Sequence, residues 1–257
     1  MPIRVVAGEA KGRRLKTPKT TSTRPIIDRV KTALFDILSV RVEDVRFLDL
    51  FAGTGSVGIE ALSRGAASAT FIELNPAILK LVRENLQITG LADRAETVHA
   101  DAFKFLQAHV SDNNHVTKLP TKAERSEGVG YLPPRQGTLP GGQVSRFIAP
   151  GEAGRSNSPN ENTQFPNNIQ YDIIYIAPPQ YKGMAARALA LLDNSSLVPD
   201  TGLVIVQIHP KERTEVAAVP LSRLALTDER RYGSTLLMFY EVSNKEKLTH
   251  VDTTTEG

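Results

Sequence analysis

Apolar and polar positions along this chain follow two periods in turn, one of about 3.6 residues and one of about two. Residues 26–38 carry Ile26, Ile27, Val30, Ala33, Leu34, Ile37 and Leu38 at helical spacing, which predicts an amphipathic helix. Residues 46–50 read as a short strand that runs into glycines 53, 55 and 58, with a helix predicted over 57–62. A second strand over 69–73 leads to a well-punctuated helix. Asn75 suits its N-cap, Pro76 its first position and Gly90 its end, and Ile78, Leu81, Val82 and Leu86 supply the apolar stripe. A weaker strand over 95–98 reaches Asp101 and a helix holding Phe103, Phe105 and Leu106.

The alternation then breaks. Residues 111–170 show no sustained period, and roughly a quarter of them are Pro or Gly, a composition that buries too little apolar surface to offset chain entropy. This stretch is expected to be a disordered insertion. Order resumes with a strand over 171–176, the sequence Ala177-Pro178-Pro179-Gln180-Tyr181, a helix over 184–192 and a strand over 202–207. Strands over 222–227 and 236–242 have no room for a helix between them and are expected to pair antiparallel at a sheet edge. Strands alternating with helices imply an α/β fold, a mostly parallel sheet with helices on both faces. Its expected limits are 25–243, preceded by an arm over 1–24, interrupted at 111–170 and followed by a polar tail over 244–257.

Charge changes the picture at the N-terminus. The net charge is only +3, yet Arg4, Lys11, Arg13, Arg14, Lys16, Lys19, Arg24, Arg29 and Lys31 precede position 32 against Glu9 and Asp28 alone. Such a local excess attracts phosphate backbones. The chain has no cysteine, which excludes thiolate chemistry and disulfides, and its five histidines show no metal-ligand spacing, so no metal is expected. No signal peptide or membrane span is legible, and a cytoplasmic location is the expectation.

The turn from Asp49 to Gly58 joins a strand end to a helix start, an arrangement that brings a nucleotide-like ligand against bare backbone. By itself, Gly-x-Gly-x-x-Gly suits a nicotinamide-dependent oxidoreductase as well as a methyl-donor enzyme. Asp49, Glu73 and Asp101 stand at or near strand ends, where ligands gather in open α/β sheets. Glu73 follows Gly53 by twenty residues, the spacing at which a carboxylate grips ribose hydroxyls, and adenosine is common to both ligands. The Pro178-Pro179 pair near Tyr181 separates them: a stiff turn with an outward carbonyl and a stacking ring suits a planar substrate base and has no evident use in hydride transfer.

On these residues the chain resembles the bacterial 16S ribosomal-RNA guanine-N2 methyltransferases of the RsmD type. The likeness rests on residues 7–15 (Ala-Gly-Glu-Ala-Lys-Gly-Arg-Arg-Leu), Thr23-Arg24-Pro25 with residues 28–31, and residues 49–58. It extends through residues 60–66 (Glu-Ala-Leu-Ser-Arg-Gly-Ala) and Arg231-Tyr232-Gly233. It implies a Rossmann-like class I methyltransferase with a seven-stranded sheet, an antiparallel edge strand and S-adenosylmethionine as cofactor, acting as a monomer on 16S ribosomal RNA or the small subunit. Asp49, Phe51, Ala52, Gly53, Thr54 and Gly55 would hold the methionine and ribose portions of the donor. Glu73, with Leu74 beside it, would accept the ribose hydroxyls, and Asp101 and Ala102 would border the adenine. Thr23, Arg24 and Pro25 would close over the methionine end, and Lys11, Arg13, Arg14, Lys16 and Arg29 would lie on RNA phosphates. A flipped guanine would meet Pro178, Pro179, Gln180 and Tyr181 as the catalytic turn.

The chain departs from the family's usual Asp/Asn-Pro-Pro-aromatic motif. Ala177 replaces the acidic or amide residue, and Gln180 separates the prolines from Tyr181. The expectation is an active enzyme in which Gln180 takes over as acceptor. The alternative is a donor- and RNA-binding module that has lost catalysis.

Overall fold

The computed structural model describes residues 3–18, 28–110 and 169–243. The insertion, the polar tail and Thr23, Arg24 and Pro25 therefore lie outside the described residues, apart from residues 169–170 of the insertion. The elements follow in the order α1 (Asp28–Leu38), β1 (Arg46–Asp49), α2 (Ser56–Ser63), β2 (Ser68–Glu73), α3 (Pro76–Thr89), β3 (Ala95–His99) and α4 (Ala102–Gln107). After the insertion come β4 (Ile173–Ile176), α5 (Met184–Asp193), β5 (Leu203–Ile208), α6 (Arg213–Ala217), β6 (Leu224–Tyr232) and β7 (Thr235–Val242).

These strands form a seven-stranded sheet in the order β3-β2-β1-β4-β5-β7-β6. Pairings among β1 to β5 are parallel, and β7 runs antiparallel to both β5 and β6. The antiparallel strand is thus internal rather than at the edge, which β6 occupies. A strand entering by a hairpin can slot against β5 only if its partner takes the outside. The short helix α6 between β5 and β6 is too brief to leave a periodic signal in sequence.

Side chains on successive strand residues enter opposite cores, as the pleat demands. Phe47, Ile173, Tyr175, Leu203, Ile205, Leu237 and Phe239 pack with α1, α2 and α3 on one face. Leu48, Ile174, Ile176, Val204, Val206, Met238 and Tyr240 pack with α4, α5 and α6 on the other. Close approach of α2 to β2 explains Gly58: a Cβ there would stand 2.4 Å from the Phe71 ring.

Two helices bury faces that differ from the expected stripes. In α1 the buried set is Val30, Lys31, Leu34, Phe35 and Leu38, while Ile37 is 36 % exposed. In α3, Leu79, Val82, Asn85, Leu86 and Thr89 are buried, and Ile78 and Leu81 stay half-buried. The cause is polar pairing. Lys31 and Asn85 turn inward because buried partners await them, and each helix rotates accordingly.

Those partners lie in or against the N-terminal segment, a hairpin whose apolar residues pack into the core. Val5 N–H donates to Arg13 O (3.0 Å) and Leu15 N–H to Ile3 O (2.9 Å), and Ile3, Val5, Ala10 and Leu15 are buried. Glu60 of α2 holds it in place. Its carboxylate accepts from Val6 N–H (2.8 Å) and Ala7 N–H (2.9 Å), and it pairs with Lys31 and Arg64. Ser63, one turn later, accepts from Ala10 N–H (3.0 Å) and donates to Ala7 O (2.6 Å). Gly8 lies so close beneath α2 that a Cβ would fall 1.7 Å from Ser63 O. The residues 7–15 and 60–66 motifs are thus two halves of one contact.

Candidate active site

The switch in strand order falls between β1 and β4, the place where open α/β sheets take ligands at their carboxyl edge. Parallel pairing brings the ends of β3, β2, β1, β4 and β5 along that edge, so Asp101, Glu73, Asp49, Pro178 and His209 follow one another in the order of the strands.

Asp49 closes β1 and is 2 % exposed. Its Oδ2 accepts from Gly58 N–H (3.3 Å) in the first turn of α2, and its buried Oδ1 has no hydrogen-bond partner among the described residues. Burial pushes its carboxyl up to about 7, the Gly58 N–H pulls the other way, and the charge of Glu73 adds to the rise. Above it, Ala52, Gly53, Thr54 and Gly55 form a tight turn in which Gly55 N–H donates to Ala52 O (2.8 Å), and Gly55 caps α2 in the left-handed region.

Glu73, at the end of β2, meets this turn. Oε2 accepts from Gly53 N–H (3.0 Å) and Oε1 from Asn75 N–H (2.8 Å), which leaves a lone pair free on each oxygen. Leu74 is exposed, and its carbonyl lies 2.9 Å from His99 Nε2. Asp101 is the N-cap of α4, its Oδ1 accepting from Phe103 and Lys104 N–H groups, with Ala102 buried behind it. Phe51 meets Phe103 edge-on at 6.0 Å, and the Arg187 guanidinium covers Phe103 at 4.1 Å.

After β4, Ala177 is half-buried, Pro178 buried, and Pro179, Gln180 and Tyr181 are exposed. Tyr181 has φ 61°, and its N–H donates to Glu212 Oε1 (2.8 Å). Its ring lies 5.3 Å from the His209 ring at a 48° tilt.

The basic residues of the hairpin and of the start of α1 divide into two groups. Arg13 donates to Ile88 O (3.1 Å), and Lys16 pairs with Glu84 (2.8 Å), so both hold the hairpin to α3. The side chains of Lys11, Arg14 and Arg29 are exposed and have no ion pair among the described residues.

Residues that sequence reasoning missed are Glu60, Asn85, His209 and Glu212. Buried Asn85 accepts from Lys16 N–H (2.7 Å) and donates to Lys16 O (3.1 Å) and Thr54 O (3.0 Å), joining the hairpin to the glycine turn. A signal for the last two was present: His209-Pro210-Lys211-Glu212 has the spacing of a capping box, with His in the Ser/Thr position.

The model of the family described as Conserved hypothetical protein 95, the RsmD type, matches residues 3–119 and 153–241. The chain belongs to this family. It is 40 % identical over 114 residues to the ribosomal RNA small subunit methyltransferase D of Escherichia coli, covering 44 % of this chain and 57 % of that one. The same-named protein of Haemophilus influenzae is 38 % identical over 106 residues, covering 41 % and 55 %. The chain thus spans little more than half the length of these curated relatives in either comparison. Among solved structures, the yhhF protein of Escherichia coli superposes with a TM-score of 0.62 at 24 % identity, covering 95 % of this chain and 99 % of that one. A hypothetical protein of Thermus thermophilus gives 0.58 at 26 % identity, covering 93 % and 99 %. The fold is the Rossmann-like class I methyltransferase fold. No helix among the described residues is long and apolar enough to cross a membrane.

Proposed function

We propose that this protein is an S-adenosylmethionine-dependent methyltransferase acting on the exocyclic N2 of a guanine in 16S ribosomal RNA, of the guanine-966 type. The observation that carries the reading is the row of Asp101, Glu73, Asp49 and the Pro178-Pro179 turn along the carboxyl edge of the sheet at its switch point.

The residues present suit the donor. Glu73 retains the acceptor capacity for two ribose hydroxyls after its backbone bonds are counted. Oδ1 of Asp49, without a partner among the described residues, offers negative charge, once ionised, beneath the turn that a cationic methionine end would approach. Phe51 and Phe103 give an aromatic wall next to Asp101 and Ala102, the residues assigned to the adenine.

S-adenosylmethionine, when bound, supplies an electrophilic methyl group on a sulfonium. The protein's part is position, because an in-line displacement that quenches charge needs no strong base. In this reading the target base is flipped to the carboxyl edge of the sheet, where the Pro178 carbonyl accepts one N2–H. The Gln180 amide oxygen accepts in place of the side chain missing at Ala177, and Tyr181 stacks on the base. Lys11, Arg14 and Arg29 supply phosphate contacts, with Arg13 and Lys16 securing the hairpin that carries the first two.

The test is transfer of labelled methyl from S-adenosylmethionine to unmodified small-subunit RNA or subunits, with mass-spectrometric mapping of N2-methylguanine. Absence of incorporation at high enzyme, with donor binding intact, would refute it. Ala177 favours a second reading, a donor- and RNA-binding module without catalysis, which that negative result would support.

A further inference from the structure

We propose that His209 reads the O6 carbonyl of the substrate base and that Glu212 is the positioning residue that aims it. This assignment rests on the guanine-methyltransferase reading above. Gln180 follows the prolines directly, so Tyr181 stands one position further from them than the aromatic residue of the family motif. The structure accommodates it with a left-handed residue at Tyr181, φ 61°, a conformation that a bulky side chain keeps only when its surroundings fix it.

Glu212 supplies that constraint. It is 7 % exposed, its Oε1 accepts the Tyr181 N–H (2.8 Å) and its Oε2 accepts the His209 N–H (3.1 Å). One buried carboxylate therefore ties the turn after β4 to the turn after β5, and it sets the Tyr181 and His209 rings side by side. Tyr181 is 60 % exposed, so one ring of the pair is open to a stacking partner.

The imidazole has a defined polarity. Its Nδ1 accepts the Lys211 N–H (3.2 Å), which requires a lone pair there and puts the proton of the neutral ring on Nε2. Nε2 has no hydrogen-bond partner among the described residues. A free donor beside an open aromatic face selects a planar ring that carries a carbonyl at its edge. A 6-oxopurine meets this demand, whereas adenine offers a second donor at the same place. His209 would thus replace part of the base recognition that the altered proline motif gave up.

The test compares kcat/KM for small-subunit RNA carrying guanine or 2-aminopurine at the mapped position; 2-aminopurine keeps the reacting amine and lacks O6. The wild type is expected to prefer guanine by about tenfold or more. In His209→Ala that preference falls toward one, and His209→Gln, which retains an N–H donor, restores part of it. Glu212→Gln weakens the preference through KM. A preference equal to wild type's in His209→Ala, whether or not overall activity drops, overturns the role of His209 and leaves the methyltransferase reading standing. A wild type that methylates neither RNA overturns both.

Discussion

The Lys31 ammonium lies 3.2 Å from the Glu60 carboxylate, and both side chains are fully shielded from solvent. Lys31 also donates to Arg4 O (2.6 Å), so the pair bridges α1, α2 and the N-terminal hairpin. Glu60→Gln strands the buried Lys31 charge and is expected to lower the unfolding free energy by about 3–5 kcal/mol. Lys31→Met is expected to cost less, because Glu60 keeps Arg64 and the Val6 and Ala7 N–H groups as partners. The double variant should lose less than the sum of the two. Equilibrium unfolding of the three variants in urea checks this.

Asp49 gives stability a pH dependence. Its folded carboxyl is pushed up to about 7 from the ordinary 3.8. Between those values the folded state keeps a proton that the unfolded chain has released, so stability falls as pH rises through the window and is level above it. Asp49→Asn is expected to be more stable than wild type at pH 8, by up to about 4 kcal/mol, with the difference vanishing near pH 4. Thermal or denaturant unfolding across pH 4–8 is the measurement.

The same group makes donor binding pH-dependent under the proposed function. A cationic ligand near Oδ1 favours the ionised carboxylate, so affinity for S-adenosylmethionine should rise from pH 6 to pH 8 in the wild type. In Asp49→Asn it should stay level. Calorimetric titration at several pH values distinguishes the two.

Under the proposed function, Ala177 leaves the amine being methylated without a side-chain acceptor at that position. Ala177→Asp restores an acceptor for the amine being methylated and is expected to raise the rate about ten- to a hundredfold, the worth of about 1–3 kcal/mol. Gln180→Ala should lower the parent rate by a similar factor. A rate that Ala177→Asp leaves unchanged or lowers would show that the missing acceptor is not limiting.

The hairpin cations make a prediction about salt. Lys11 and Arg14 are free among the described residues, whereas Lys16 is paired with Glu84. Lys11→Ala with Arg14→Ala should reduce the slope of log affinity against log salt by about 1.4–1.8, two phosphate contacts' worth. Lys16→Ala should change the slope less and lower stability more. Filter binding at several salt concentrations, alongside melting, separates these effects.

Local signals located most of the fold. Asn75, Pro76 and Gly90 bound α3 as caps should, because capping is settled within a turn of chain. Helix faces were less legible: Lys31 reads as a surface charge until Glu60, far along the chain, is placed beneath it. The internal position of β7 was equally hidden, since strand order depends on contacts between distant segments. Within the site, Asp49, Glu73 and Asp101 were found from their places at strand ends. Asn85, which joins the hairpin to Thr54, left no local trace.

The sequence by itself determined the strand-helix alternation, the glycine turn above Asp49, the acidic strand ends and the departure at Ala177, all properties of neighbouring residues. Tertiary structure alone decided that Glu60 and Ser63 hold the basic hairpin against the core, and that Glu212 sets Tyr181 beside His209. Each of these is a buried polar contact between segments distant in the chain. Burial makes such a group costly unless it is paired, and only the folded chain brings its partner within reach.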